Sequence, residues 1–235
     1  MDKNWPQTSG ESGFSVMELL MVLAIILVLS SVSLFYLTAH QALYKPDEQA
    51  LLVTDLFQEA RQKSLTQRET HRLEINRTRK TVRLIDENTP ATVDDDAVIR
   101  EINLLEDSVV TVGVKPGNID VNPPEPLPVP DANFLPSNYP TSIGDSVATF
   151  RFMANGTVTN GGNTATGNGA VVTGGTLHIW SPNKEDQANA DIARSITVIG
   201  SSGSVRLWEY DRSLTTTNKW KDSRRSGTYG GFAGN

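Results

Sequence analysis

Apolar and polar positions divide the chain into three textures. Residues Met1–Gly13 are mixed polar text with neither a helical nor a strand period. At Phe14 the chain turns abruptly apolar and stays so for the 24 residues FSVMELLMVLAIILVLSSVSLFYL, to Leu37. At about 1.5 Å per residue, a helix of that length crosses a hydrocarbon layer of roughly 30 Å. Ser30, Ser31 and Ser33 are compatible with such a helix, because a hydroxyl can bond back to a carbonyl one turn earlier. Beyond Leu37 the pattern becomes amphipathic. Leu52, Leu56, Ala60 and Leu65 recur at helical spacing and Val53 and Phe57 widen the stripe, while Asp55, Gln58, Glu59, Arg61 and Gln62 take the other faces. The stretch 38–70 is therefore expected to continue as a helix that covers a sheet, with Pro46 in the first turn of a renewed helix or at a kink.

From His71 the period shortens to two. HRLEIN and TVRLID flank the basic turn Arg77–Lys80 and predict a hairpin. One or two strands are expected within Ala97–Val114, and others over Val147–Met153, Thr176–Ser181, Ser195–Ile199 and Ser204–Tyr210, with turns at Asn155-Gly156 and Ser201–Gly203. The alternation of Leu177 with Ile179, and of Ile196 with Val198, predicts sheets with one apolar and one exposed face. Two loops interrupt them. The stretch 115–145 is crowded with proline, and its PPEPLPVPD is expected to lie on the surface as polyproline II; the stretch 160–173 is glycine-rich and of low complexity. The fold class is α+β, a long N-terminal transmembrane helix packed against an antiparallel β-sheet domain.

Composition narrows the chemistry. With 21 basic and 27 acidic side chains the formal charge is −6, which offers no global attraction to nucleic acid or anionic lipid. Cysteine is absent, which removes disulfides, thiolate metal ligands and thiol nucleophiles. His40, His71 and His178 lack metal-ligand spacing and are expected to be surface or structural. Asp94-Asp95-Asp96 lacks the alternating oxygen ligands and glycine of a calcium loop and is expected to be a solvated turn. The sequence GSSGS at Gly200–Ser204 suits a hairpin better than a nucleophile elbow. No enzyme, cofactor or metal site is expected.

The exceptional residue is Glu18, a carboxylate four residues into an apolar run, where ionisation in hydrocarbon costs several kcal/mol unless a cation meets it. An ordinary secretory signal carries its cleavage site after the apolar core, whereas here the small residue Gly13 precedes it. Gly13-Phe14-Ser15-Val16-Met17-Glu18-Leu19-Leu20 resembles the class III leader junction of type IV pilins and type II secretion pseudopilins. The resemblance implies a leader at 1–13, cleavage between Gly13 and Phe14 by a prepilin peptidase, methylation of the new Phe14 amine, and Glu18 as an assembly residue that pairs with such an amine. The leader departs from the basic leaders of that family, since Asp2 and Glu11 accompany Lys3, and the mid-helix proline of major pilins is missing.

FRFMANGTV, GTLHIW and ARSITVIGSSGSVRLWEY resemble the C-terminal strands of GspH and FimT-like minor subunits, and DLFQEARQKSLTQRETHRLEI resembles their passage from helix to first strand. The organisation this implies is a pilin-like fold: membrane half of the spine at 14–37, amphipathic remainder at 38–70, periplasmic β-rich domain at 71–217 and basic, glycine-rich tail at 218–235. The implied function is that of a minor pseudopilin in the short pseudopilus of a type II secretion system. Its alternative is a FimT-like minor type IV pilin active in pilus assembly or DNA uptake. The implied location is a single pass through the bacterial inner membrane, in contact with other pilins or pseudopilins and an inner-membrane assembly platform. In the tail, Lys219, Trp220, Lys221, Arg224 and Arg225 combine cations with an aromatic ring and form a candidate DNA contact, against which a plainly solvated tail is the simpler expectation.

Overall fold

The structure, a computed structural model, describes residues 14–89, 92, 95–113, 115–117, 119, 121–161, 164, 171–182 and 193–223, with the backbone alone for 35–43. The leader, Asp94, most of the glycine-rich loop and residues 224–235 lie outside the described residues. The chain forms two compact units, Met1–Gln41 and Ala42–Asn235.

A single helical element, α1 (Val16–Gln67), runs through both stretches expected to be helical, and Pro46 lies inside it. In the first unit, Val16–Leu34 is an apolar segment of 19 residues with a mean hydropathy of 2.5 and no buried residues, and it is long enough to cross a membrane. The hydroxyls of Ser31 and Ser33 are satisfied within the helix. Ser31 Oγ donates to the Val28 carbonyl at 2.7 Å and Ser33 Oγ to that of Leu29 at 2.9 Å.

In the second unit the end of α1 enters a core shared by two antiparallel sheets. The first sheet has the order β3 (Ala97–Asn103), β2 (Thr81–Glu87), β1 (Thr70–Asn76), β6 (Ser146–Phe152), β5 (Leu135–Pro136), with β7 (Val158–Thr159) also on β6. The second has the order β11 (Trp220–Asp222), β10 (Val205–Tyr210), β9 (Arg194–Ile199), β8 (Gly174–Trp180), β4 (Thr111–Gly113). Ala50, Val53, Leu56, Phe57 and Ala60 of the helix pack with Leu73 and Ile75 of β1, Phe150 and Phe152 of β6, Leu177 and Ile179 of β8, and Ile196 and Val198 of β9. Phe57 is the centre of this contact, edge-on to Phe150 at 5.0 Å and to Phe152 at 6.2 Å between ring centroids. The helical stripe is rotated from the expected one. Leu52 and Leu65 are exposed, and Gln49, Thr54 and Ser64 are buried instead.

Both predicted hairpins form, β1 with β2 and β9 with β10. The expected exposed faces do not. All seven residues of β1 are buried, because the proline-rich stretch is no surface excursion. It lies across the outer faces of both sheets. Over the second sheet, the carbonyls of Val121, Asn122 and Val129 accept from Trp220 Nε1 at 2.8 Å, Asn218 Nδ2 at 3.0 Å and Thr176 Oγ1 at 3.2 Å. Thr176 also donates its N–H to the Pro130 carbonyl at 2.7 Å and accepts from Ala132 N–H at 2.8 Å, which extends the edge beside β4. Proline has no N–H to satisfy, so such a segment can lie on a sheet with only its carbonyls to match. Nor is it polyproline II throughout. Glu125 N–H donates to the Pro123 carbonyl at 2.9 Å in a three-residue turn, and Asn122 closes on Asp131 at 2.7 Å, so 122–131 is a compact Ω-like loop.

Candidate functional site

Three groups of residues carry the functional expectations: the start of α1, the basic residues near the C-terminus, and the polar clusters that the proline-rich segment covers.

At the start of α1, Phe14 stands outside the helix and is 86% exposed. Gly13 lies outside the described residues. Ser15 Oγ accepts from the Met17 N–H at 3.3 Å, Glu18 Oε2 accepts from the Ser15 N–H at 3.4 Å, and Leu19 N–H makes the first helical bond to the Ser15 carbonyl at 3.1 Å. Glu18 is thus engaged locally, by its own chain, through one carboxylate oxygen. Sequence reasoning singled out Glu18 and passed over Ser15, although the Ser-x-x-Glu spacing at 15–18 is a readable helix-start signature.

Of the candidate DNA contact, Trp220 and Lys221 have partners within the fold. Residues Trp220–Asp222 form β11, a strand on the edge of the second sheet beyond Ser204–Tyr210, where the sequence pattern predicts a free tail. Trp220 is 4% exposed and packs with Ile119, Ala193 and Trp208, its indole N–H bound to Val121, so it presents no ring for a base to stack on. Lys221 lies 3.7 Å from Glu209 and 3.8 Å from Asp211, which answer its charge. Lys219 gives its carbonyl to the Asp211 N–H, and Arg224 and Arg225 lie outside the described residues.

The covered clusters were invisible to the sequence reading. On the second sheet, the 2%-exposed side chain of Glu125 receives Trp208 Nε1 at 3.1 Å and Arg206 at 3.0 Å, together with the Thr197 hydroxyl. His178, fully buried, meets Asp131 at 3.3 Å, and that hydrogen bond holds the Asp131 carboxyl below the usual aspartate range. On the first sheet, Arg72 is sandwiched. It bonds Glu87 at 2.6 Å and Asp96 at 3.0 Å, with its guanidinium 3.8 Å from the centroid of the Tyr139 ring, and Glu87 also takes Arg151 at 2.9 Å. Asp96 therefore sits in an ion pair rather than in a solvated turn. Glu74 accepts from Ser142 Oγ at 3.1 Å through one oxygen while the other is buried without a hydrogen bond; burial pushes its carboxyl up against the pull of Arg72.

These clusters are structural in geometry, since each carboxylate in them is engaged by the chain's own groups and all but the half-exposed Asp131 are largely buried. His71 is likewise fully buried, 3.9 Å from Asp86. Among the described residues, no three of His, Asp and Glu are grouped to hold a metal ion. No family model, curated protein or solved structure matches the chain. What the sequence and structure establish together is an α+β chain with one N-terminal apolar helix long enough to span a membrane, the end of which packs on a large antiparallel domain.

Proposed function

We propose that the chain is a minor subunit of a pilus-like filament: a minor pseudopilin of a type II secretion system, anchored by Val16–Leu34 in the inner membrane with the β domain in the periplasm. The observation that carries this reading is the placement of Phe14 and Glu18. Phe14 stands exposed just ahead of the first turn of an exposed apolar helix, and the same helical element ends in the core of the domain. A segment of that kind can exchange lipid for neighbouring helices without disturbing the domain's own packing. Cleavage after Gly13 would free the Phe14 amine, and the second oxygen of Glu18 would meet such an amine on a neighbouring subunit. Prepilin peptidase, the assembly platform and other pilin-like subunits are the partners this reading requires.

The test separates processing from assembly. Replacing Gly13 is expected to abolish maturation, and E18Q, which removes the carboxylate's charge and keeps its hydrogen-bonding shape, to leave a matured chain that fails to enter filaments. Normal maturation of the Gly13 variant would defeat the proposal. Crosslinking mass spectrometry in native membranes is expected to join α1 to helices of other pilin-like subunits, and identifies whether they belong to a secretion system or a pilus. The alternative, a FimT-like minor type IV pilin active in assembly or DNA uptake, draws on Lys219, Trp220, Lys221, Arg224 and Arg225; Trp220 and Lys221 are occupied within the second sheet, and Arg224 and Arg225 lie outside the described residues.

A further inference from the structure

We infer that Ser15 and Glu18 form a reciprocal capping box that sets the start of α1 and holds Phe14 outside the helix, which makes Ser15 a positioning residue for the cleavage junction. The cap follows from the contacts at the helix start. Its role at the junction rests on the pilin-like reading.

The first four N–H groups of any helix have no partner within it. In water they are hydrated at little cost, but in a bilayer or between packed helices an unsatisfied N–H costs several kcal/mol. Here two of the exposed donors are matched from inside the chain. Ser15 Oγ takes the Met17 N–H while Glu18 Oε2 takes the Ser15 N–H, and the Ser15 carbonyl accepts the first helical bond from Leu19, which makes Ser15 the cap residue and Glu18 the third helical residue. The acidic side chain also faces the positive end of the helix dipole. A carboxylate in an apolar run is thereby explained locally, before any neighbouring subunit is present. Because the box uses one oxygen of Glu18, the other stays available to an amine, and capping and assembly can be separated by substitution. A cap at Ser15 also keeps helical structure from running back into Phe14, and a peptidase needs an extended backbone at the bond it cuts.

The deciding experiment follows amide hydrogen exchange at residues 15–18 in the full, unprocessed chain in detergent micelles, with no peptidase present. S15A and E18A are expected to speed exchange of the Met17 and Ser15 amides about fivefold. S15T and E18Q are expected to retain wild-type exchange, because threonine and glutamine serve the same box. Unchanged exchange in S15A and E18A, or exchange in E18Q as fast as in E18A, overturns the cap. Maturation by a prepilin peptidase is then read on the same variants. E18Q is expected to be cut at the wild-type rate and S15A and E18A more slowly; equal rates in all four variants overturn the positioning role. A wild-type chain that is not cut at all sinks the pilin-like reading, and the exchange result still decides the cap.

Discussion

Glu125 and Trp208 meet at 3.1 Å, carboxylate to indole N–H, on the face of the second sheet that points away from the helix. Arg206 and Thr197 close on the same carboxylate, so one side chain of the proline-rich segment gathers three donors from β9 and β10. Removing it leaves those donors to find water under a displaced loop. E125A is expected to cost about 2 kcal/mol, less than the ~3–5 typical of a fully buried pair because Arg206 keeps partial access to solvent. Trp208 fluorescence should shift to the red in the native state. Unaltered thermal unfolding and emission would show that the segment is held by its backbone contacts alone.

Two carboxylates, Asp131 of the segment itself and Glu74 beneath it, respond oppositely to pH. The hydrogen bond from His178, assisted by Asn122, lowers the folded pKa of Asp131, so its stabilisation is present above the ordinary aspartate value and is lost as pH falls through the lowered one. Burial raises the folded pKa of Glu74, so its contribution is fully present below the ordinary glutamate value and is lost as pH rises through the raised one. Denaturant midpoints measured across the acidic range should therefore lose part of their acid sensitivity in D131N. E74Q should be more stable than wild type at neutral pH, since the amide is spared the desolvation of a charge. A less stable E74Q would mean that the pull of Arg72 on the carboxylate outweighs its burial.

The contact of Phe57 with Phe150 and Phe152 tests which side of the helix faces the core. F57A should cost about 3–5 kcal/mol, and L52A, which alters an exposed leucine only five residues earlier, should stay within about 0.5. Chemical denaturation of the full chain in detergent measures both. Comparable losses for the two would return Leu52 to the buried stripe.

Much of this architecture was legible because local pattern and tertiary role agree. The apolar run from Phe14, the hairpin of β1 and β2 and the turns at Gly156 and Gly203 all appear where period and turn chemistry place them. The rotated helix stripe was not legible, since Leu52 and Leu65 fit a helical period as well as Ala50 and Ser64 do and only the shape of the sheets chooses between them. The covering segment misled for a different reason. Proline-rich text reads as solvent-exposed, and the charges of Arg72, Glu87 and Arg151 read as an outer face. Their burial depends on a loop some 65 residues away from Arg72, to which no local pattern points. The same blindness placed Trp220 in a free tail rather than in a strand.

Gly174 gives the sharpest steric test. It adopts φ +66° where β8 begins, and a Cβ added there would fall 1.8 Å from the Val198 carbonyl oxygen and 2.8 Å from the Gly200 nitrogen. Both neighbours are backbone of the adjoining β9 and its turn, so relief requires the strands to separate at the register pair Gly174 and Ile199. Gly144 has a similar φ of +79° but nothing within 4 Å of the same added atom, so alanine there meets backbone strain alone. G144A should cost about 1–2 kcal/mol. G174A should cost upwards of about 4 and loosen the β8–β9 pairing, visible as faster amide exchange in both strands while β1 and β2 keep theirs. Equal losses in the two variants would mean that the close approach of Gly174 to Val198 is relieved by movement elsewhere, and that the left-handed conformation is the whole of the glycine requirement.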